Sequence, residues 1–458
     1  MSNTVKRNEI YEGIVTDLTS SGAGVVKVGE YPLFVQGALR GERVKVKVTK
    51  TLKRYGFAKL EEIQTASSER QDAPCAVYDE CGGCQLQHLT YEGQLEEKRQ
   101  LVQNTLQKIG RFSTIDVPPV LGMEHPWRYR NKSQVPLQYV NGRPAWGFFK
   151  QRTHDIVPTE TCLIQTEEAD RLLEAITNAL PKLHIPLYDE KKHRGVLRHV
   201  IVRKGMNTGQ VMVVLITNGK KLPAKDRLIE LILETEPNVT SIIQNINNQK
   251  TNVIFGNESH TLYGEPYIYD TIGDVKFQIS DRSFYQINAG QMEVLYKEAL
   301  EAAQLTGNET VIDAYCGIGT ISLFLAQRAK HVYGVEIVKQ AIEDARINAR
   351  LNEMDNATFE VGKAEEVVPR WYEEGIEADV FVVDPPRKGC DATLLETIIT
   401  HAPKTVVYVS CNPATFARDA RILVDGGYQL EKVQPVDMFG HTMHIEVVAV
   451  LSRIEDEK

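Results

Sequence analysis

The rhythm of apolar and polar positions changes three times along the chain. Arg43-Val44-Lys45-Val46-Lys47-Val48 alternates strictly. That puts every valine on one face of a strand and every cation on the other. Gly22, Gly24, Gly29, Gly37 and Gly41 cut residues 8–61 into short strands, the pattern of a five-stranded barrel. The polar run from Glu62 to Pro74 predicts a linker. Leu95, Val102, Leu106 and Ile109 then fall on one stripe, predicting an amphipathic helix over 91–110 that Gly110 stops. From 117 to about 270 the pattern is mixed, with helices over Glu167–Leu183 and Ala224–Leu233 and strands over Leu197–Arg203 and Gln210–Ile216. From about 275 it becomes regular. Strands are predicted at Thr310–Ala314, His331–Val335, Val380–Val383, Thr405–Val409 and Ile445–Leu451, and helical stretches separate the first four. That alternation predicts a doubly wound, mainly parallel sheet. The expected architecture is multidomain α/β: a small β-barrel over 1–62, a central mixed α+β domain over 63–270, and a Rossmann-like catalytic domain over 271–458. The helix over 91–110 is expected to pack on the catalytic domain.

Composition narrows the class. A chain of 458 residues with 42% hydrophobic and 25% charged residues is ordinary for a soluble protein of several domains. No apolar run reaches the ~18 residues a membrane helix needs, and the first residues lack the apolar core of a secretory signal. A cytoplasmic protein with no membrane partner is expected. Seven cysteines, an odd and clustered set, argue against a disulfide framework. The net charge of −8 hides an asymmetry. Residues 1–60 carry eleven Lys and Arg against five acids, a balance of +6 that leaves −14 for the remainder. A basic module on an acidic body fits RNA contact, with Arg43, Lys45 and Lys47 tracking phosphates. A merely solvated face fits the charge equally.

Candidate chemistry enters with Cys75-Ala76-Val77-Tyr78-Asp79-Glu80-Cys81-Gly82-Gly83-Cys84. Three thiols this close want a metal or cluster, and Cys162 is the nearest candidate fourth ligand. The five-then-two spacing suits an iron–sulfur cluster better than the two-residue knuckles of zinc sites. Arg128-Tyr129-Arg130-Asn131-Lys132 is a second basic stretch, able to stack on unpaired bases or to be an ordinary exposed strand.

Val311-Ile312-Asp313-Ala314-Tyr315-Cys316-Gly317-Ile318-Gly319-Thr320 is a strand running through a glycine turn into a helix. Only two of the three dinucleotide glycines are present and no phosphate-holding lysine follows, which is weak for NAD and poor for ATP. Glu336 ends the next strand, 23 residues after Asp313, where a carboxylate can hold ribose hydroxyls. This suits S-adenosylmethionine, which has a ribose and no phosphate. Both acids could instead cap helices.

Asp384-Pro385-Pro386-Arg387-Lys388-Gly389 makes a rigid loop at a strand end. Its Asp and Arg replace the ends of the Asn-Pro-Pro-aromatic motif of amine methyltransferases, which makes an amine target less fitting. Val406-Val407-Tyr408-Val409-Ser410-Cys411-Asn412-Pro413 sets a thiol at another strand end, a nucleophile or a buried structural cysteine. Glu446 is a candidate general base. His441 and His444 could serve instead, or cap the strand. One thiol and one carboxylate satisfy methylation of uracil carbon 5. Thiolate addition at carbon 6 makes carbon 5 nucleophilic, and a base then removes its proton.

These stretches together resemble the RNA uracil-C5 methyltransferases, the family that includes the bacterial 23S rRNA and tRNA enzymes. The likeness covers nearly the whole chain. It rests on the basic N-terminal barrel, similar to the OB-like TRAM module, and on Cys75, Cys81, Cys84 and Cys162. It also rests on Phe284-Tyr285-Gln286-Ile287-Asn288, the Asp313–Gly319 turn, the Asp384–Arg387 loop with Gly389, and Tyr408 to Asn412. The resemblance implies a 4Fe-4S cluster on the four cysteines, Cys411 as nucleophile and Glu446 as base. It places Gln286, Tyr315, Glu336 and Asp384 around S-adenosylmethionine; by its residue type alone Gln286 could equally cap a helix. The cluster and the barrel favour 23S rRNA as partner, with tRNA second, no DNA, and a monomeric enzyme. One departure stands out: Gly440 occupies the family's usual proline position, and glycine is expected to loosen the loop before Glu446. Two other classes compete, a catalytically silent RNA-binding factor and a redox or radical enzyme. The usual three-then-two radical spacing is missing.

Overall fold

The structure, a computed structural model, describes residues 5–454. Strands β1 (Ile10–Leu18), β2 (Ala23–Val28), β3 (Tyr31–Gln36), β4 (Arg43–Thr51) and β5 (Gly56–Thr65) close into a barrel in the order β1-β2-β3-β5-β4. The strict alternation in β4 explains the barrel's inside: Val44, Val46 and Val48 are fully buried while Arg43 and Lys47 face out. The expected linker is not free. Strand β5 runs on to Thr65, and Arg70 then donates to both oxygens of buried Glu42 at 2.6 and 2.9 Å. Gln71 Nε2 adds a bond to Gln87 O at 3.0 Å.

Helix α1 (Tyr91–Thr105) starts at Thr90, whose Oγ1 accepts from Gly93 N. Val102 and Leu106 bury against Phe416, Ala417 and Ala420. Ile109 departs from the predicted stripe. The helix widens into a π turn over Leu106–Gly110, which rotates Ile109 into solvent at 47% exposure. Lys98, on the same helix, is fully buried. Its Nζ donates to Asp437 Oδ1 at 2.6 Å and to Phe439 O at 3.1 Å.

The central sheet holds β6 (Lys132–Val140), β7 (Arg143–Phe149), β8 (Ile156–Pro158), β9 (Leu197–Lys204), β10 (Val211–Thr217), β11 (Val239–Ile246) and β12 (Glu258–Gly264), ordered β12-β11-β10-β9-β6-β7-β8. Helices α2 (Glu167–Ala179) and α3 (Lys225–Thr235) cover the face carrying Val135, Val200, Val202 and Val213. The opposite face, with Ile201, Met212 and Val214, joins the core that contains Met292 and Leu295. Covered on both sides, β10 is buried throughout and apolar from Val211 to Ile216, which removes the alternation a half-exposed strand shows.

After the hairpin β13 (Tyr267–Ile272) and β14 (Val275–Ser280), the chain alternates: α4 (Ala289–Ala303), β15 (Thr310–Ala314), α5 (Thr320–Ala326), β16 (His331–Glu336), α6 (Lys339–Leu351), β17 (Ala357–Val361), α7 (Ala364–Glu373), β18 (Val380–Val383), α8 (Ala392–His401), β19 (Thr405–Ser410), α9 (Pro413–Asp425), β20 (Tyr428–Val436) and β21 (Glu446–Arg453). The sheet order is β17-β16-β15-β18-β19-β21-β20. Its first five strands are parallel, and β21 runs antiparallel to both neighbours. The two strands missing from the sequence reading, β17 and β20, carry polar residues among their apolar ones. Among the described residues no helix is long and apolar enough to cross a membrane.

Breaking one half of a buried ion pair strands the other charge. Lys98→Met or Asp437→Asn is therefore expected to destabilise the chain by roughly 3–5 kcal/mol in denaturant unfolding. The double change Lys98→Met/Asp437→Leu should recover part of that loss, because both charges leave together.

Candidate active site

The chain enters the C-terminal sheet at β15, winds outward through β16 and β17, and returns to the other side through β18 and β19. Ligand crevices open at such a switch, outside the carboxyl ends of the parallel strands. The Tyr315–Gly319 turn, Asp384 and Cys411 follow β15, β18 and β19 directly, so the topology gathers them along one edge. Glu446 joins them from the antiparallel strand. Strands β19 and β21 pair through Ser410 and Val447, so one further step sets Cys411 opposite Glu446.

The glycine turn is tight. Gly319 takes φ +81°, and a Cβ there would meet the Phe359 ring at 3.0 Å. Tyr315 also takes a positive φ, +68°. Buried Asp313 accepts from Ser322 Oγ at 2.5 Å through Oδ2, while its Oδ1 is buried without a partner. Burial pushes its carboxyl up to about 7. At the end of β16, Glu336 Oε1 accepts from Val338 N at 2.9 Å, bracing its own loop. Ile337 and Val338 beside it stand 61% and 53% exposed. An open apolar pair next to a carboxylate can flank a flat heteroaromatic ring. Sequence reasoning passed over these two, although two β-branched residues directly after an acid-ended strand were the signal.

Gln286 is buried beside exposed Phe284. Its backbone carbonyl accepts from Asn131 Nδ2 at 2.8 Å. Asn288, not Gln286, caps α4, accepting from Gln291 N.

Burial pushes the half-buried Cys411 thiol up to about 11, and the Glu446 and Asp384 carboxylates add to the shift. Burial lifts Asp384 to about 7 and holds Glu446 well above the usual carboxylate range. Arg387 opposes the rise at both Cys411 and Glu446. That cation was read only as part of a loop motif. Helix α9 pins the loop itself. Asn412 Nδ2 donates to Arg387 O at 2.8 Å and Arg418 Nη2 to Lys388 O at 3.0 Å. Buried Asp419 accepts from Cys390 N and from Tyr408 OH at 2.8 and 2.7 Å. Gly389, at φ +85°, leaves room for that carboxylate, since a Cβ would lie 2.5 Å from Asp419 Oδ2.

The loop before Glu446 corrects the expectation drawn from Gly440. A Cβ at Gly440 would meet Met123 Cε at 2.8 Å, so the glycine lets the end of that methionine pack against the loop. Gly440 O accepts from Tyr129 OH at 3.0 Å. His441 stacks on Trp127 with ring centroids 3.6 Å apart. Its Nδ1 accepts from Gln94 and its Nε2 donates to Pro126 O. Both ring nitrogens are thus occupied, and burial pushes the ring down to about 4. His444 stays exposed.

The basic stretch at 128–132 is also corrected. Arg128 pairs with Asp170 at 2.6 Å, and Tyr129 is buried beneath the Glu446 loop, so neither offers a surface to a base.

The four predicted ligand cysteines do meet. Cys75, Cys81, Cys84 and Cys162 line one cavity of about 230 Å³, together with Arg130 and His444. Burial pushes Cys84 up to about 11 and Cys162 to about 12, with neighbouring thiolates adding to each. Such thiols lose their protons readily only to a metal. Among the described residues, no three His, Cys, Asp or Glu side chains are grouped to hold a single metal ion. The four-thiol metal centre expected from the sequence is therefore not shown among the described residues.

Asp313 gives a signed pH dependence. A raised carboxyl holds its proton more tightly folded than unfolded. Its contribution to stability is full below its ordinary 3.8 and is lost as pH climbs to about 7. The thermal midpoint is expected to fall between about pH 4 and pH 7, and Asp313→Asn should remove part of that fall. An unchanged profile in the variant would contradict the desolvation of Asp313.

Residues 267–454 match the family model described as tRNA (Uracil-5-)-methyltransferase, and residues 5–60 match the TRAM domain. An RNA methyltransferase of Halalkalibacterium halodurans is 57% identical over 98% of both chains. One of Listeria innocua serovar 6a is 56% identical over 98% of this chain and 99% of its own. Among solved structures, the Pyrococcus abyssi tRNA (uracil-54, C5)-methyltransferase in complex with S-adenosyl-L-homocysteine is 28% identical. It covers 96% of this chain and 100% of its own at a TM-score of 0.77. With full-length relatives this similar, a TRAM barrel at one end and the methyltransferase sheet at the other, the chain belongs to the family of RNA uracil-5-methyltransferases that carry a TRAM domain.

Proposed function

We propose that this protein methylates carbon 5 of uridine in 23S rRNA, through a covalent adduct between Cys411 and carbon 6 of the base. The observation that supports the reading is the β19–β21 register, which pairs Ser410 with Val447 one step before Cys411 and Glu446, with Asp384 leaving the neighbouring strand end. Cys411 as thiolate adds to carbon 6, and carbon 5 becomes the nucleophile. Bound S-adenosylmethionine supplies an electrophilic methyl group. Glu446 then takes the proton from carbon 5, and the carbon 6–sulfur bond breaks. A carboxylate held well above its usual range is the stronger base for that task. Arg387 opposes the rise at both Cys411 and Glu446 and so favours the ionised form of each.

The cofactor residues are Gln286, Tyr315, Glu336 and Asp384. Glu336 takes the ribose hydroxyls with its remaining carboxylate oxygen, and Ile337 and Val338 flank the adenine. Carboxylates at Asp313 and Asp384 favour a cationic sulfonium in a cleft that disfavours bare negative charge.

Cys75, Cys81, Cys84 and Cys162 would hold a 4Fe-4S cluster. The donor set fits in kind, because four thiols line one cavity and such clusters are held by four cysteines. Bound there, a cluster ties residues 75–84 to Cys162. The chain divides as barrel, cysteine-bearing central domain and catalytic domain over 1–62, 63–270 and 271–458, with the helix over 91–110 lying on the last.

A second substrate reading has its own support: the full-length neighbour of known structure is a tRNA enzyme. Labelled S-adenosylmethionine offered 23S rRNA and tRNA from cells lacking this protein separates the two. Label at uridine carbon 5 of 23S rRNA is expected, and label in tRNA alone overturns the rRNA assignment. Cys411→Ala should abolish transfer while RNA binding survives. Glu446→Gln should slow turnover by about 10²–10⁴-fold and leave a protein–RNA adduct visible on a denaturing gel. Normal turnover in Glu446→Gln would refute the base assignment.

A further inference from the structure

Arg130, Lys132 and Arg203 stand together on one side of the central sheet; Arg130 also reaches the cysteine cavity, and the catalytic cleft described above uses none of them. Lys132 pairs directly with Arg203 across β6 and β9, and the same register sets Pro136 opposite His199. Residues directly opposite in an antiparallel pair share a face. Val135, Val200 and Val202 point into the core beneath α2 and α3. Lys132, Arg203 and His199 therefore point the other way, to the side where Ile201 meets the methyltransferase core.

That side is short of acceptors. Among the described residues, Arg130 Nε, Arg203 Nε and His199 Nδ1 are buried without a hydrogen-bond partner. Arg203 is only 4% exposed, and its one side-chain bond is from Nη2 to Ser283 O at 2.7 Å. Lys132 has neither a hydrogen bond nor an ion pair to a described residue. Buried cations without partners are costly, and a chain keeps them where a ligand brings the missing anion. The place tells which anion. Arg203 donates to Ser283, Asn131 Nδ2 to Gln286 O and Asn131 N to Ile287 O at 2.8 Å. The cations thus abut the turn that carries Gln286 and exposed Phe284. A base delivered to that turn brings its own phosphodiester.

We propose that Lys132, Arg130 and Arg203 form a phosphate clamp that grips the RNA backbone beside the target nucleotide. The inference rests on the uracil methyltransferase reading of the cleft and extends it to the neighbouring phosphate. Burial, and then the charges of Arg203 and Arg130, push the Lys132 ammonium down to about 7. The groups facing it are Arg203 from β9 and Arg130 from the lead-in to β6. Asp281, before α4, acts on Arg203. A phosphate restores the ammonium, so binding takes up a proton above about pH 7. Affinity then falls as pH rises, by at most about tenfold per unit.

The test is fluorescence anisotropy of labelled oligouridylate on the full chain at fixed salt, from pH 6 to pH 9. Wild type should lose affinity above pH 7. Lys132→Arg, charged throughout, should keep the pH 6 affinity and flatten the slope. Lys132→Met should bind about tenfold or more weakly at pH 6, and its dependence on log salt should shrink by about one. A wild-type pH slope in Lys132→Arg, or wild-type binding and salt dependence in Lys132→Met, overturns the clamp. Methyl transfer to total RNA by the wild type, run in parallel, reports on the enzymatic reading alone. Label with unchanged Lys132→Met binding removes the clamp and leaves the enzyme; the expected slopes without label do the reverse.

Discussion

The Lys98–Asp437 ion pair is the constraint on which the catalytic geometry rests. Both side chains are fully buried, so the pair gains little over a well-packed apolar contact. What it fixes is position. Asp437 also accepts from Tyr91 OH at 2.7 Å and from Phe439 N at 3.2 Å, while Lys98 reaches on to Phe439 O. Helix α1 thereby holds the start of the loop that ends at Glu446. The same helix continues to the π turn that packs on α9, and α9 pins the Asp384–Gly389 loop through Asn412, Arg418 and Asp419. A helix from outside the sheet braces both loops that frame Cys411.

The electrostatics of the cleft follow from that bracing. Asp313, Asp384 and Glu446 lie where water is scarce, and each is pushed up mainly by burial. Arg387 is the cation that the Cys411 and Glu446 environments share. Such a cleft resists accumulating negative charge and gains by accepting a positive ligand. The same burial and neighbouring carboxylates that raise Cys411 favour its thiol over its thiolate.

Much of this was legible in the sequence, and the gaps have physical causes. Strands β15 and β18 read correctly to the residue because parallel strands buried on both faces leave continuous apolar runs. Barrel strand β4 read correctly because one face is wet. Strands β17 and β20 sit at the sheet's two edges, where polar residues dilute the run. Ile109 fell on the wrong side because a π turn changes the period that pattern reading assumes. Gly440 suggested slack because backbone freedom was visible in the sequence and Met123 was not. Tyr129 and Arg128 looked like an RNA-facing pair, yet their partners, Gly440 and Asp170, are distant in sequence. Cys411 and Glu446 were legible as types of residue; their opposition depends on the antiparallel insertion of β21, which no local pattern encodes.

The cysteine cavity and the catalytic cleft share a wall. Phe439, Thr442 and His444 line the cavity with the four thiols, and they belong to the same short loop that carries Glu446 into β21. Thr442 Oγ1 donates to Phe439 O at 2.8 Å, and Phe439 O also accepts from Lys98, so the loop is bonded across its own width. Burial and then neighbouring thiolates raise Cys81, Cys84 and Cys162, so these thiols do not stay ionised together without a compensating positive centre. Whatever neutralises them fixes the far side of the loop that Lys98 fixes on the near side. The loop that carries Glu446 is thus bounded by a buried ion pair on one side and the cysteine cavity on the other.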